Sequence, residues 1–149
     1  MLRLTILVSV SSQKHLFNMP LFPFALQGVD WSSDTIKASL VKSTWVYDGT
    51  ETVWSDISSH ECSGSGYAAL TLSSKTEAIT NNRQVFDAAD LSWTTINVTD
   101  VAYLVIYKDS GRLLSWYDVK DAGSPRTLIN ANATIQWHST DGLFIVRYE

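Results

Sequence analysis

The chain has 149 residues, the size of one domain and enough to bury a core without disulfides or metals. Charged residues make up only 17%, six Trp and six Tyr give a heavy aromatic load, and the formal charge of −4 excludes a basic nucleic-acid footprint. The one cysteine, Cys62, excludes an internal disulfide and a cysteine-built metal cluster, and no apolar run reaches the roughly 18 residues of a membrane-spanning helix.

Residues 1–18 differ in character from the rest of the chain. Arg3 precedes a short apolar run over 4–10, and Ser9, Ser11 and Ser12 are small. Three readings are open: a cleaved secretory signal with an apolar region at the lower limit of length, a plain N-terminal strand or arm, or an upstream start with Met19 opening the functional chain. Next, Pro20 and Pro23 forbid helix around Phe22 and Phe24, which reads as an extended arm. The chain thus divides into an extension and arm over 1–28 and a single domain over 29–149.

From Asp34 onward strand signals recur between turn residues. Segment 35–42 alternates, with Ile36, Ala38 and Leu40 on one face and Lys37 and Ser39 on the other. The only helix candidate is 52–59, a turn or two at most. Gly64 and Gly66 permit a bulge or tight turn before Tyr67. Segment 95–99 puts Ile96 and Val98 on one side. Segment 101–107 is apolar on both faces, which implies a strand covered on both, inside the fold or at a subunit contact. Residues 108–111 form a hairpin connection with Gly111 available for positive φ, leading into a strand over 112–119. Segment 133–138 turns Ile135 and Trp137 inward against Gln136 and His138, and Gly142 helps join it to a last strand over 143–148. Six to eight short strands predict an all-β fold with little helix, an antiparallel β-sandwich or jelly roll.

Chemical signatures are sparse. His60, Glu61 and Cys62 set a base, an acid and a nucleophile side by side, but neighbours in an extended strand point to opposite faces. A cysteine nucleophile needs a spatially adjacent histidine, and only His15 and His138 remain. Ser63-Gly64-Ser65-Gly66 lacks both the strand-to-helix setting of a nucleophile elbow and the lysine of a phosphate loop. Asp30, Asp34, Asp87 and Asp90 lack the dense alternation of a calcium loop. The expectation is a chain without catalytic residues, metal or cofactor. The sequons at Asn97 and Asn132 carry meaning only in a secreted chain.

Among the tryptophans, Trp93 and Trp137 fall on apolar-phased strand positions and are expected in the core. Trp45 and Trp54 stand in a loop-like stretch with Tyr47 and Asp48. A sugar platform, a packing or subunit interface, and plain core all remain open there.

Several blocks in order carry a resemblance. Asp30-Trp31-Ser32-Ser33-Asp34-Thr35-Ile36-Lys37-Ala38-Ser39-Leu40 is followed by Glu61-Cys62-Ser63-Gly64-Ser65-Gly66-Tyr67, by Lys75-Thr76, and by Phe86-Asp87-Ala88-Ala89-Asp90-Leu91-Ser92-Trp93. Ile106-Tyr107-Lys108-Asp109 and Ile135-Gln136-Trp137 close the pattern. Over 29–148 the chain resembles small structural proteins of tailed-bacteriophage virions, of the kind that decorate and cement the capsid. The 18-residue start lies outside the pattern, and Ser115-Trp116-Tyr117 is bulkier than the pattern leads one to expect.

The resemblance implies a non-enzymatic β-sandwich or jelly roll that binds the outside of the head and bridges subunits of the major capsid protein. It further implies a homotrimer at local three-fold axes, made in the host cytoplasm and resident on the capsid surface, with neither nucleic-acid nor membrane partners. Phe22, Phe24, Trp31, Trp45, Tyr47 and Trp54 are the expected interface residues. Other virion roles (head fibre, tail or head–tail joining component) and a carbohydrate- or host-surface-binding module are the rival readings.

Overall fold

A computed structural model describes residues 2–8, 13–16, 28–80, 83–109, 111–139 and 142–147. Phe22 and Phe24 lie outside them. The elements in chain order are β1 (Leu2–Val8), β2 (Gln13–Leu16), β3 (Ile36–Lys42), α1 (Trp54–Ile57) with a 3-10 turn (Ser58–His60), β4 (Leu70–Thr71), β5 (Thr76–Thr80) and β6 (Arg83–Asp87). β7 (Leu91–Lys108), β8 (Leu113–Asp118), β9 (Arg126–Trp137) and β10 (Phe144–Arg147) complete the set. Among the described residues the fold is all-β apart from one short helix and its 3-10 turn, as composition and periodicity predict. No helix among the described residues is long and apolar enough to cross a membrane.

One strand organises the rest. Segments 95–99 and 101–107, read from sequence as two strands, are parts of the 18-residue β7. Its first half pairs with β9, with register shifts between Trp93 and Ile96, Ile96 and Val98, and Val98 and Val101. Its second half pairs with β3 on one edge and β8 on the other. Thr95 and Asp100 hold left-handed backbone (φ 54° and 62°), so the chain bends at bulges where the sequence suggests a break.

The bend is large. Leu91 pairs with Ile135 and Leu104 with Tyr117, so a straight β7 would hold β9's end and β8 roughly 40 Å apart, at about 3.3 Å per residue. The rings of Tyr117 and Trp137 are nevertheless 5.9 Å apart. The seven-stranded sheet therefore folds over on itself, and its inner faces meet in the main core around Leu104, Ile106, Tyr117, Ile135 and Trp137. The extension contributes two strands to this sheet: β1 runs parallel to β9, and β2 runs antiparallel to β8. A separate three-stranded sheet, β10-β6-β5, joins the main core through Phe86, whose ring meets Trp31 edge-on at 5.5 Å.

The opposite face of β3, β7 and β8 is also covered. Val41, Val105, Tyr107, Leu113 and Trp116 pack with Trp45 and Ile57 in a second core. The expectation of a strand covered on both faces holds, and the cover is the chain's own loop with α1. Ser39 lies on the face opposite Ile36, Ala38 and Leu40, as its alternation predicts, and the same cover buries it fully.

Gly64 packs so tightly that an added Cβ would lie 1.7 Å from the Asn97 carbonyl oxygen, and the turn it opens closes with Tyr67 N–H donating to its carbonyl. Gly142 combines left-handed backbone (φ 60°) with a Cβ position 2.4 Å from Phe86 O. Gly111 departs from expectation: its backbone is outside the left-handed region and the nearest atom to an added Cβ is Val53 Cγ1 at 3.9 Å. Gly64→Ala is accordingly expected to destabilise by about 3 kcal/mol or more, because the obstructing atom is backbone in the middle of β7. Gly111→Ala is expected to stay within about 0.5 kcal/mol. Urea unfolding of the two variants beside the parent checks both values.

Candidate functional site

His60, Glu61 and Cys62 occupy three separate environments. His60 Nδ1 lies 3.0 Å from Thr44 Oγ1 at the surface. Cys62 is buried in the main core, and that burial pushes its thiol up to about 12. Glu61 Oε1 accepts hydrogen bonds from Ser39 Oγ (2.9 Å) and Tyr67 Oη (3.0 Å). Tyr67 Oη in turn accepts from Leu40 N–H (2.8 Å), and Tyr107 Oη is 3.1 Å from Ser39 Oγ. This network ties the 61–67 segment to β3 and β7. Burial raises the phenols of Tyr67 and Tyr107 above their ordinary value, so they stay protonated donors.

The aspartates considered as calcium ligands serve the backbone. Asp30 Oδ1 accepts from Ser32 N–H, Ser32 Oγ and Ser33 N–H, which pulls its carboxyl down to about 2. Asp34 accepts from Asp30 N–H and pairs with Lys108 Nζ at 2.7 Å. Asp87 accepts from Ala88 N–H, and Asp90 accepts from Trp137 N–H. No group of three or more His, Cys, Asp or Glu side chains suited to a metal ion occurs among the described residues.

The expected interface aromatics separate into buried and accessible rings. Trp31 is 2% exposed and its Nε1–H donates to Thr76 O. Trp45, considered for the surface, is 3% exposed. Its Nε1–H donates to Glu51 Oε1, and its ring meets Tyr103 and Trp116 edge-on at 5.2 and 5.6 Å. Trp31 packs into the main core against Phe86, and Trp45 is buried because its loop folds onto β7 and β8 instead of standing clear of them. Tyr47 and Trp54 are half-buried.

Two openings flank the second core. One, about 760 Å³, is lined by polar and acidic residues including Asp48, Thr50, Asp56 and His60. Asp48 accepts from Thr50 N–H and Oγ1, and Asp56 accepts from Thr52 and Val53 N–H, so these two carboxylates are held below their ordinary range by turn hydrogen bonds. The other, about 520 Å³, lies between α1 and the β7–β8 hairpin, lined by Trp54, Tyr107, Ser55, Ser58, Lys37 and Asp109 together with Val53 and Gly111. Trp54 stacks on Tyr107 with ring centroids 4.2 Å apart and planes within 4°. Lys37 Nζ pairs with Asp109 Oδ1 at 2.9 Å, and the hydrogen bond keeps the ammonium protonated beyond its ordinary range, which removes it as a base.

Sequence reasoning singled out Trp54 but missed Lys37, Tyr107 and Asp109. Lys37 pairs directly across the sheet with Tyr107. The polar phase of Lys37 and the hairpin position of Asp109 were visible, whereas their meeting depends on strand register. Comparison with known protein families, with curated proteins and with solved structures finds no match for the chain.

These shifts set a pH profile. Cys62, at about 12 against an ordinary 9.0, prefers its protonated form when folded, as do Tyr67, Tyr107 and Tyr117. Their contribution is complete below the ordinary values and is lost as pH rises from about 9 toward 12. Asp30, Asp34, Asp48 and Asp56 act in reverse: their contribution is present above the ordinary 3.8 and is lost as pH falls toward 2. Thermal melts across pH are expected to show a plateau bounded by these two declines. At pH 8 Cys62 is expected to resist Ellman's reagent in the native chain and to react fully in guanidinium; rapid native labelling would contradict its burial.

Proposed function

We propose that the chain is a non-enzymatic structural component of a tailed-bacteriophage virion, a β-sandwich that binds the outside of the capsid and clamps neighbouring subunits of the major capsid protein. The observation that supports this reading is the mutual contact of the blocks that carry the resemblance. Trp31 of the first block packs on Phe86 of the fourth. Lys75 donates to Asp34 O and holds its ammonium 6.0 Å from the Trp31 ring. Tyr67 stacks on Trp93 at 6.3 Å, Lys108 pairs with Asp34, and Asp90 accepts from Trp137 N–H.

Blocks spread over more than a hundred positions thus form one connected framework, held in part by polar groups of Asp34, Lys75, Asp90 and Lys108. A clamp needs such a stiff body and enough contact area, about 1,600 Å² for a standard stable interface, and no chemistry. In this reading the two halves of the folded-over sheet are the layers of the sandwich, and three copies assemble at local three-fold axes of the head.

The chain is expected to co-sediment with expanded heads made of the major capsid protein and to raise their resistance to heat or chelator. Failure to sediment with heads, or capture by tails instead, would remove the capsid role. Light scattering of the purified chain is expected to give the mass of a trimer; a monomer at high concentration would contradict the three-fold arrangement.

A further inference from the structure

We infer that the cleft between α1 and the β7–β8 hairpin is a binding site for a neutral hexopyranose. The wall of this cleft is built before any ligand arrives. Trp54 N–H donates to Gly111 O at 2.6 Å, Leu113 N–H donates to Thr52 O at 3.0 Å, and Val53 bridges Arg112. These contacts fasten the start of α1 to the hairpin, so little freedom is lost when the indole meets a ligand. Behind the indole, Tyr107 is 4% exposed and fixed through its hydroxyl to Ser39, so the stacked pair cannot collapse inward.

The rim has the complementary chemistry. Lys37 and Asp109 remain 32% and 48% exposed while paired, and Ser55 and Ser58 also line the opening. A hydroxyl both donates and accepts, so two vicinal hydroxyls can satisfy an ammonium and a carboxylate standing side by side. The opposite charges cancel, which favours an uncharged ligand over a phosphate or a carboxylate. An apolar aromatic wall beneath a rim of paired donors and acceptors matches a pyranose, whose C–H face is apolar and whose edge is polar. The volume of about 520 Å³ falls within the ordinary range of small-molecule sites and suits one or two sugar rings. This inference stands on the cleft alone and is independent of a place in the virion.

The test is saturation-transfer difference NMR on the full chain with glucose, galactose, mannose and N-acetylglucosamine as probes. Expected is a saturable signal from at least one of them, strongest for the protons on one face of its ring. Trp54→Ala is expected to weaken binding by about tenfold, the upper end of what one aromatic contact supplies. Because Trp54 also covers Tyr107, Asp109→Ala, a change at an exposed rim position, serves as the second variant, with a several-fold loss expected while the melting temperature holds. The inference is overturned if the folded parent gives no saturable signal with any of the four sugars, or if the signal survives both substitutions unchanged.

Discussion

The fold depends on a bend in β7. A sheet buries only as much apolar area as another surface offers it, and here that surface is the other half of the same sheet. Three register shifts in its pairing with β9 and two left-handed residues, Thr95 and Asp100, let an 18-residue strand turn while it stays in the sheet. Asn97 N–H donates to Ser65 O within the bend, and Asn97 O occupies the space that any side chain at position 64 would need. The Gly64–Tyr67 turn is therefore a buttress for the bend, which gives a structural reason for the smallest residue at that position.

The second core is a consequence of the first. Once the sheet has folded, the outer face of β3, β7 and β8 still carries Val41, Val105, Tyr107, Leu113 and Trp116. Exposing these side chains to water would cost about 25 cal/mol per Å² of apolar area, and the chain covers them instead with the loop that holds Trp45 and α1. Ser39 donating to Glu61, and Leu40 N–H donating to Tyr67, which itself donates to Glu61, knit the end of this cover to β3. The result is a central layer packed on both sides, with the Trp54 cleft at the seam where the cover ends.

Much of this was legible from local pattern. The alternation over 35–42 gives Ile36, Ala38 and Leu40 to the core, and Trp93 and Trp137 are buried where apolar phasing puts them. The illegible parts share one cause: they depend on what lies across from a residue, which local pattern does not encode. The alternation puts Ser39 on the face opposite the core, but its full burial there depends on the loop above it. Trp45 reads as a loop aromatic, and its burial rests on Tyr103 and Trp116, more than fifty positions away. The merging of two strands into β7 turns on Asp100, a residue type that more often ends strands than bends them. The candidate cleft likewise joins Lys37 to Asp109 through register, although each alone looks like an ordinary solvated charge.

The arrangement of the aromatic rings has an optical consequence. Trp45, Trp116 and Tyr103 stand nearly perpendicular to one another within 5.6 Å, while Tyr117 and Trp137 meet across the other layer at 5.9 Å and 52°. Rings locked in asymmetric surroundings give near-ultraviolet circular dichroism, which vanishes when packing loosens even if the strands persist. Both cores therefore contribute to one intrinsic spectroscopic signal. Loosening of either core should therefore register as a loss of near-ultraviolet signal in the unlabelled chain as it is heated, diluted or brought against a partner.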